Sequence, residues 1–468
     1  MPTVALISLG CAKNLVDSEL ILGRLAADGF TVTTEPAQAE IIIVNTCGFI
    51  EPAKEEAIQT ILEAASWKEK GRCRCLAAAG CLVQRYGAEL AREIPEVDLW
   101  VTRGNYGRLA ALLEEAAGSP GLLAWGPPDF SPDAGWPRLR STPPHRAYLR
   151  IADGCDNRCR YCVIPQVRGA YRSRPPEDIL REAERLAAEG VAEITLIAQD
   201  TTAYGHDLPE RPTLAGLLRR LLTVSGPRWW RVLYAYPTRV DRELIALLAG
   251  EERLCRYLDL PLQHISPAVL QAMGRPADPA SVRRLLDELR GRVPGLVLRT
   301  SLIVGYPGET EADFAALRDF VREERLNWVG VFAYSREEGT PAADLPGQVP
   351  RRVKEERRRE ILALQQEVSR AWQASRVGEV FPVMLERPHP GRPGIWLARS
   401  EAEAPEVDGL IHLRLPAGEP GQFLAARAVG AGTYDLEAEP ASPGAEGESP
   451  SMSKHQVRSR RPNGGTED

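Results

Sequence analysis

Residues 148–163 read YLRIADGCDNRCRYCV, a short apolar strand over 148–152 that runs straight into three cysteines at C-x3-C-x2-C spacing. Cys155, Cys159 and Cys162 stand close enough in sequence to share one metal centre, which raises a question of ligand count. Structural zinc takes four protein ligands, and the next plausible ones, His145 and His206, lie well outside the loop. A cuboidal 4Fe-4S cluster also has four irons, so three thiolates leave one iron open to a substrate or cofactor.

Downstream of this loop, apolar strands recur at helix-separated intervals: 193–198, 232–234, 257–260, 297–301 and 329–332. With the strand at 148–152 they make six βα units, the pattern of a partial barrel. Barrel sites lie at the carboxyl ends of the strands, and the cysteine loop follows the first strand. Gln199 and Asp200, Gln263 and His264, and the turn Gly305-Tyr-Pro-Gly-Glu309 fall at equivalent ends. Gln199, Gly305 and Glu309 are therefore candidate cofactor contacts, although ordinary turn chemistry calls for the same residue types. Trp229 and Trp230 read as packing residues.

Upstream, β and α patterns alternate. A buried strand at 4–9 is followed by Gly10-Cys11 and a helix over 16–27; a strand at 41–45 by Thr46-Cys47-Gly48; a helix over 53–67 and a strand at 76–79 by Gly80-Cys81. Strand, small residue and cysteine recur in that order. In an open parallel sheet the carboxyl ends of the strands line one crevice, so Cys11, Cys47 and Cys81 can converge as a second three-cysteine site. A free cysteine also serves as a small core hydrophobe. Cys73, Cys75 and Cys255 follow no such pattern.

A charged helix over 351–372 reads as a solvated face. Short β segments broken by Pro and Gly follow over 380–437, suggesting a small barrel of the kind that binds elongated partners. Residues 376–439 hold six arginines, no lysine and ten acidic residues, a net charge of −4. That sign is wrong for gripping a phosphate backbone and right for attracting a basic protein. The tail, 441–468, has almost no large apolar residues and is expected to be disordered.

The 468 residues allow about three domains, set here at 1–141, 142–372 and 373–440, with the tail beyond. Hydrophobic residues at 44% and charged residues at 26% suit a folded α/β enzyme. No apolar run reaches the 18 or so residues that span a bilayer, and the N-terminus lacks a basic leader, so the expectation is a cytoplasmic protein with no membrane partner. In that compartment nine cysteines point to metal or redox chemistry and away from disulfides. A net charge of −6 gives no general attraction for nucleic acid.

The stretch DGCDNRCRYCVIPQVRG resembles the cysteine loop of radical S-adenosylmethionine enzymes, specifically the methylthiotransferases. LISLGCAKNLVDSE, NTCGFI, LIAQDTTAYG, YLDLPLQH and VFAYSREEGTPA resemble the branch of that family that modifies a bacterial ribosomal protein, and the third segment is similar to a TRAM domain. The resemblance implies an N-terminal open parallel α/β domain, a central partial (βα)6 barrel and a C-terminal β-barrel. It implies that Cys155, Cys159 and Cys162 hold one 4Fe-4S cluster whose open iron binds S-adenosylmethionine, with Tyr161 against the adenine, and that Cys11, Cys47 and Cys81 hold a second. The implied reaction adds a methylthio group to the β-carbon of an aspartate in small-subunit ribosomal protein twelve, one S-adenosylmethionine giving the methyl group and another the deoxyadenosyl radical. It calls for a sulfur donor and for an electron donor, a reductase or flavodoxin-type protein. The neighbouring branch modifies a tRNA adenosine with the same clusters; NTCGFI after the second strand favours the protein-modifying branch.

Overall fold

Alternating side chains of the N-terminal strands pack into two separate cores, one on each face of a sheet. The computed structural model describes residues 1–119, 121–275 and 277–441. Its first sheet has six parallel strands in the order Thr31–Val32, Thr3–Ser8, Ile41–Thr46, Cys75–Gly80, Leu99–Val101, Leu122–Ala124. Ile41–Thr46 and Cys75–Gly80 are buried throughout, as parallel strands covered on both faces must be. Ile41, Ile43, Ala77 and Val101 face Leu20, Ile21 and Leu25 of the helix Ala12–Ala27, while Ile42, Val44, Ala78 and Trp100 face Ile61 and Ala64 of the helix Glu51–Ala65.

The six barrel strands are present. Arg146–Arg150, Glu193–Ile197 and Trp229–Val232 pair in parallel, as do Tyr257–Asp259, Val297–Val304 and Trp328–Ala333, and a parallel bridge from Trp230 to Leu254 joins the halves. The third strand is shifted from the expected 232–234. Trp229 and Trp230 lie in it, Trp230 toward the helices and Trp229 inward against the Phe423 ring at 4.8 Å. The aliphatic run at Val232 misplaced it, since aromatic residues suit a pleated strand as well, and Tyr234, at φ 64°, cannot continue one.

The charged helix is Arg351–Ser375, and it is more than a solvated face. Arg357, Ile361, Gln365 and Val368 are buried at the helical repeat, and the Gln365 amide donates to the Leu326 carbonyl at 2.9 Å. The last segment closes into a five-stranded barrel, Val380–Pro388, Ile395–Arg399, Ile411–Arg414, Leu436–Pro440, Phe423–Ala431. The loop after Arg399 stoppers the amino-terminal end of the central barrel. Arg231 donates to the Glu401 carbonyl at 2.8 Å, Trp328 to the Ala402 carbonyl at 2.9 Å, and Tyr257 and Arg299 to the Asp408 carboxylate at 2.6 and 2.8 Å. Around that loop, four of the ten acidic residues of this segment are paired with arginines. Glu386 pairs with Arg146 and Arg399, Glu403 with Arg376, Glu406 with Arg146 and Asp408 with Arg299. Of the remaining acidic residues, Glu379, Glu419, Asp435, Glu437 and Glu439 stay exposed. The tail from 442 onward lies outside the described residues.

Candidate functional site

Three glycines let the three strand-end cysteines approach one another. A Cβ on Gly10, which sits at φ +87°, would lie 2.8 Å from the Cys47 Cβ; one on Gly48 would lie 2.7 Å from the Leu82 Cα; one on Gly80 would lie 2.4 Å from the Thr46 carbonyl oxygen. Each of these glycines therefore seats one cysteine turn against its neighbour. Asn14 and Asn45, which the sequence reading did not single out, lock the arrangement. The Asn14 amide donates to the Leu9 and Asn45 carbonyls at 2.6 and 3.1 Å, and the Asn45 amide to the Asn14 carbonyl at 3.0 Å. Cys11, Cys47 and Cys81 are close enough to influence one another's charge. Burial pushes the Cys47 thiol up to about 12 and raises Cys81. At Cys11, Lys13 and Arg168 overrule burial and pull the thiol below its ordinary value.

In the second triplet the chain folds tightly. Gly154 must be glycine, since a Cβ there would fall 1.9 Å from the Ala170 carbonyl oxygen. The Cys155 N–H donates to the Gly169 carbonyl at 3.2 Å, the Cys162 N–H to the Cys159 carbonyl at 3.0 Å, and the Arg160 N–H to the Met273 carbonyl at 2.9 Å. Burial pushes Cys155 up to about 11 and Cys162 up to about 12. Arg275, also missed in the sequence, points its guanidinium at the Cys159 sulfur, 3.6 Å away, and is stacked 4.1 Å over the Tyr236 ring. A cavity of about 290 Å³ lies beside it, lined by Tyr236, Leu262, His264 and Leu270 among others.

Between the triplets lies a buried charge network. Asp153, directly before the cysteine loop, accepts from Arg103, Arg150 and Arg168, and Asp17, on the helix after Cys11, accepts from the same three. Arg103 comes from the N-terminal sheet domain and Arg150 and Arg168 from the barrel, so the network ties the two cysteine sites together. Burial disfavours both carboxylate charges, but the three guanidinium groups prevail and hold Asp153 well below the usual carboxylate range.

The other predicted contacts scatter. The Gln199 amide donates to Asp153 at 3.0 Å, while its carbonyl oxygen is buried without a donor. Tyr161 packs against the cluster of Val269, Met273, Tyr306 and Tyr334, close to Cys159. Gly305 and Glu309 are engaged elsewhere. A Cβ on Gly305 would strike Lys354 at 2.3 Å, and Glu309 accepts from the Gly305 and Tyr306 N–H groups at 2.6 and 3.1 Å and pairs with Arg357 at 2.8 Å. His264 is buried, with Nε2 unpartnered and 3.8 Å from Glu309, and burial lowers it to about 4. His145 and His206 join neither triplet; they sit against Glu386 and Tyr171.

The chain matches Uncharacterized protein family UPF0004 over residues 3–102, the Radical SAM superfamily over 149–321 and the TRAM domain over 377–440. It is 51% identical to the ribosomal protein uS12 methylthiotransferase RimO of Desulforudis audaxviator, over 93% of this chain and 96% of that protein. The chain belongs to the RimO family. The RimO of an Anaeromyxobacter species is 49% identical over 92% of this chain and 91% of its own. Among solved structures, the chain resembles TsrM of Kitasatospora setae, a radical S-adenosylmethionine methyltransferase described with cobalamin and a 4Fe-4S cluster bound. The identity is 18%, over 77% of this chain and 85% of that one, at a TM-score of 0.53; the likeness is one of fold. RimO-family membership makes the chain a radical S-adenosylmethionine methylthiotransferase. The residues fit the cofactor this implies: soft thiol donors in a loop after the first barrel strand, a guanidinium beside one sulfur, and a buried carbonyl oxygen on Gln199 left without a donor.

Proposed function

We propose that this protein methylthiolates the β-carbon of an aspartate in ribosomal protein uS12, with Cys155, Cys159 and Cys162 holding one 4Fe-4S cluster and Cys11, Cys47 and Cys81 a second. The observation that carries this reading is the placement of two thiol triplets, each lacking a fourth cysteine, on either side of one buried Asp17–Asp153 network. When bound, the cluster at the barrel loop supplies the electron that cleaves S-adenosylmethionine to a carbon radical, chemistry that side chains do not perform unaided.

The chain's own residues do the rest. Gly10, Gly48 and Gly80 set the spacing of the first triplet, and Gly154 that of the second. Arg275 offsets thiolate charge at Cys159, and Arg168 does so at Cys11 and Cys81. Gln199, anchored by Asp153, presents its carbonyl oxygen to the end of the barrel where S-adenosylmethionine would bind. This reading calls for a sulfur donor and for an electron donor, a reductase or flavodoxin-type protein. The test is mass spectrometry of uS12 from cells with and without this gene. A methylthio mass increment on one aspartate that depends on the gene is expected; an unmodified uS12 beside a gene-dependent tRNA methylthio group would transfer the reading to the tRNA branch.

A further inference from the structure

We propose that Lys13 receives the carboxylate of the side chain being modified, and so selects an acidic residue. The inference rests on the reading that the substrate is an aspartate. Lys13 stands two positions after Cys11, in the first turn of Ala12–Ala27, and its ammonium reaches across to the central domain, 3.2 Å from the centroid of the Tyr234 ring. Tyr234 lies just beyond the third barrel strand, within electrostatic reach of the inward-pointing Tyr148 and Arg299. Its carbonyl accepts from the Thr201 N–H at 3.0 Å, and the adjacent Asp200 accepts from Asn157 of the cysteine loop at 2.9 Å. One chain of contacts thus runs from the Cys11 turn to the Cys155 loop, with Lys13 as its first link.

A buried ammonium is costly unless it is paired. Lys13 is 8% exposed. The cations of the barrel interior have carboxylates: Arg231 and Arg399 share Glu193, Arg299 has Asp408, Arg150 has Asp17. Among the described residues Lys13 has a ring and no carboxylate at ion-pair distance. Asp259, which feels its charge from farther away, is held by the Tyr234 N–H and lies 3.7 Å from Arg299. A cation aimed by an aromatic face, beside the Cys11 thiol and with no carboxylate at ion-pair distance among the described residues, is complementary to an anion brought from outside. In an aspartate the carboxylate adjoins the β-carbon, so gripping it places that carbon beside the Cys11 site.

The test uses the reconstituted holoenzyme, with S-adenosylmethionine, and two synthetic peptides spanning the modified loop of uS12, one with Asp and one with Asn at the target. Fluorescence anisotropy reads binding and mass spectrometry reads modification. The wild type should favour the Asp peptide roughly 10- to 100-fold, the range of a charge-assisted hydrogen bond. Lys13→Met should bring the two peptides within about threefold of each other, and Lys13→Arg should restore most of the preference, a pattern that simple loss of packing would not give. A Lys13→Met enzyme that keeps the wild-type preference overturns the inference. A wild type that neither binds nor modifies the Asp peptide overturns the uS12 reading beneath it.

Discussion

Replacing Asp153 by asparagine keeps the shape of the side chain and removes one of the two charges that balance three buried guanidinium groups. In the native chain Asp17 and Asp153 face Arg103, Arg150 and Arg168, all nearly inaccessible to water. The Asp153 carboxylate also accepts from the Gly154 N–H at 2.9 Å and from Gln199 at 3.0 Å. Taking one partner from a buried ion pair leaves uncompensated charge and costs about 3–5 kcal/mol. At about 2–4 °C per kcal/mol for units of a few hundred residues, the unfolding midpoint should fall by roughly 6–20 °C. The measurement is thermal unfolding of the cluster-free chain, so that cofactor loss does not enter, with Glu243→Gln at the exposed Arg219–Glu243 pair as the control, where less than about 1 kcal/mol is expected. If Asp153→Asn shifts the midpoint no more than that control does, the network is not what joins the two cysteine sites.

Alanine at Cys155, Cys159 and Cys162 together should remove about half the bound iron and abolish formation of deoxyadenosine, whereas alanine at Cys11, Cys47 and Cys81 should remove the other half and leave that cleavage intact; full iron in the second variant would contradict two separate sites. Gly10→Ala forces an L side chain to φ +87° against Cys47, so it should lower stability by about 1–3 kcal/mol and deplete iron from the first triplet only, read by chemical unfolding and iron analysis. Arg174 and Arg138 overrule burial and hold Glu182 at about 2 against an ordinary 4.5. Because this value is lowered by folding, its contribution of about 3 kcal/mol is complete above pH 4.5 and is lost as the pH falls toward 2. Urea midpoints measured across that window should therefore decline less steeply in Glu182→Gln.

The cysteine triplets could be read because their signals are local. Glycine or another small residue beside cysteine at three successive strand ends is a pattern that a parallel sheet converts directly into proximity, and the loop at 155–162 carries its spacing within eight residues. The partial barrel followed from its apolar runs, apart from a third strand hidden by two tryptophans. What stayed illegible is paired across long separations. Arg168 meets Asp17 from 151 positions away and Arg275 meets Cys159 from 116, and nothing in either neighbourhood marks those arginines apart from many others. The partners of the acidic residues in the last segment were illegible for the same reason. The number of those residues was plain, but Glu386, Glu403 and Asp408 are matched to arginines supplied by other elements, and composition does not say which charges face outward.

The loop from Ser400 to Gly409 has a geometric corollary. With Glu401, Ala402 and Asp408 hydrogen-bonded across the amino-terminal end of the central barrel, that end is a floor. A polypeptide cannot be threaded through that end; whatever reaches the Cys155 loop has to come from the carboxyl-terminal side of the strands or from the open flank of the partial barrel. A segment that doubles back on itself, or a free end, suits an approach of that kind.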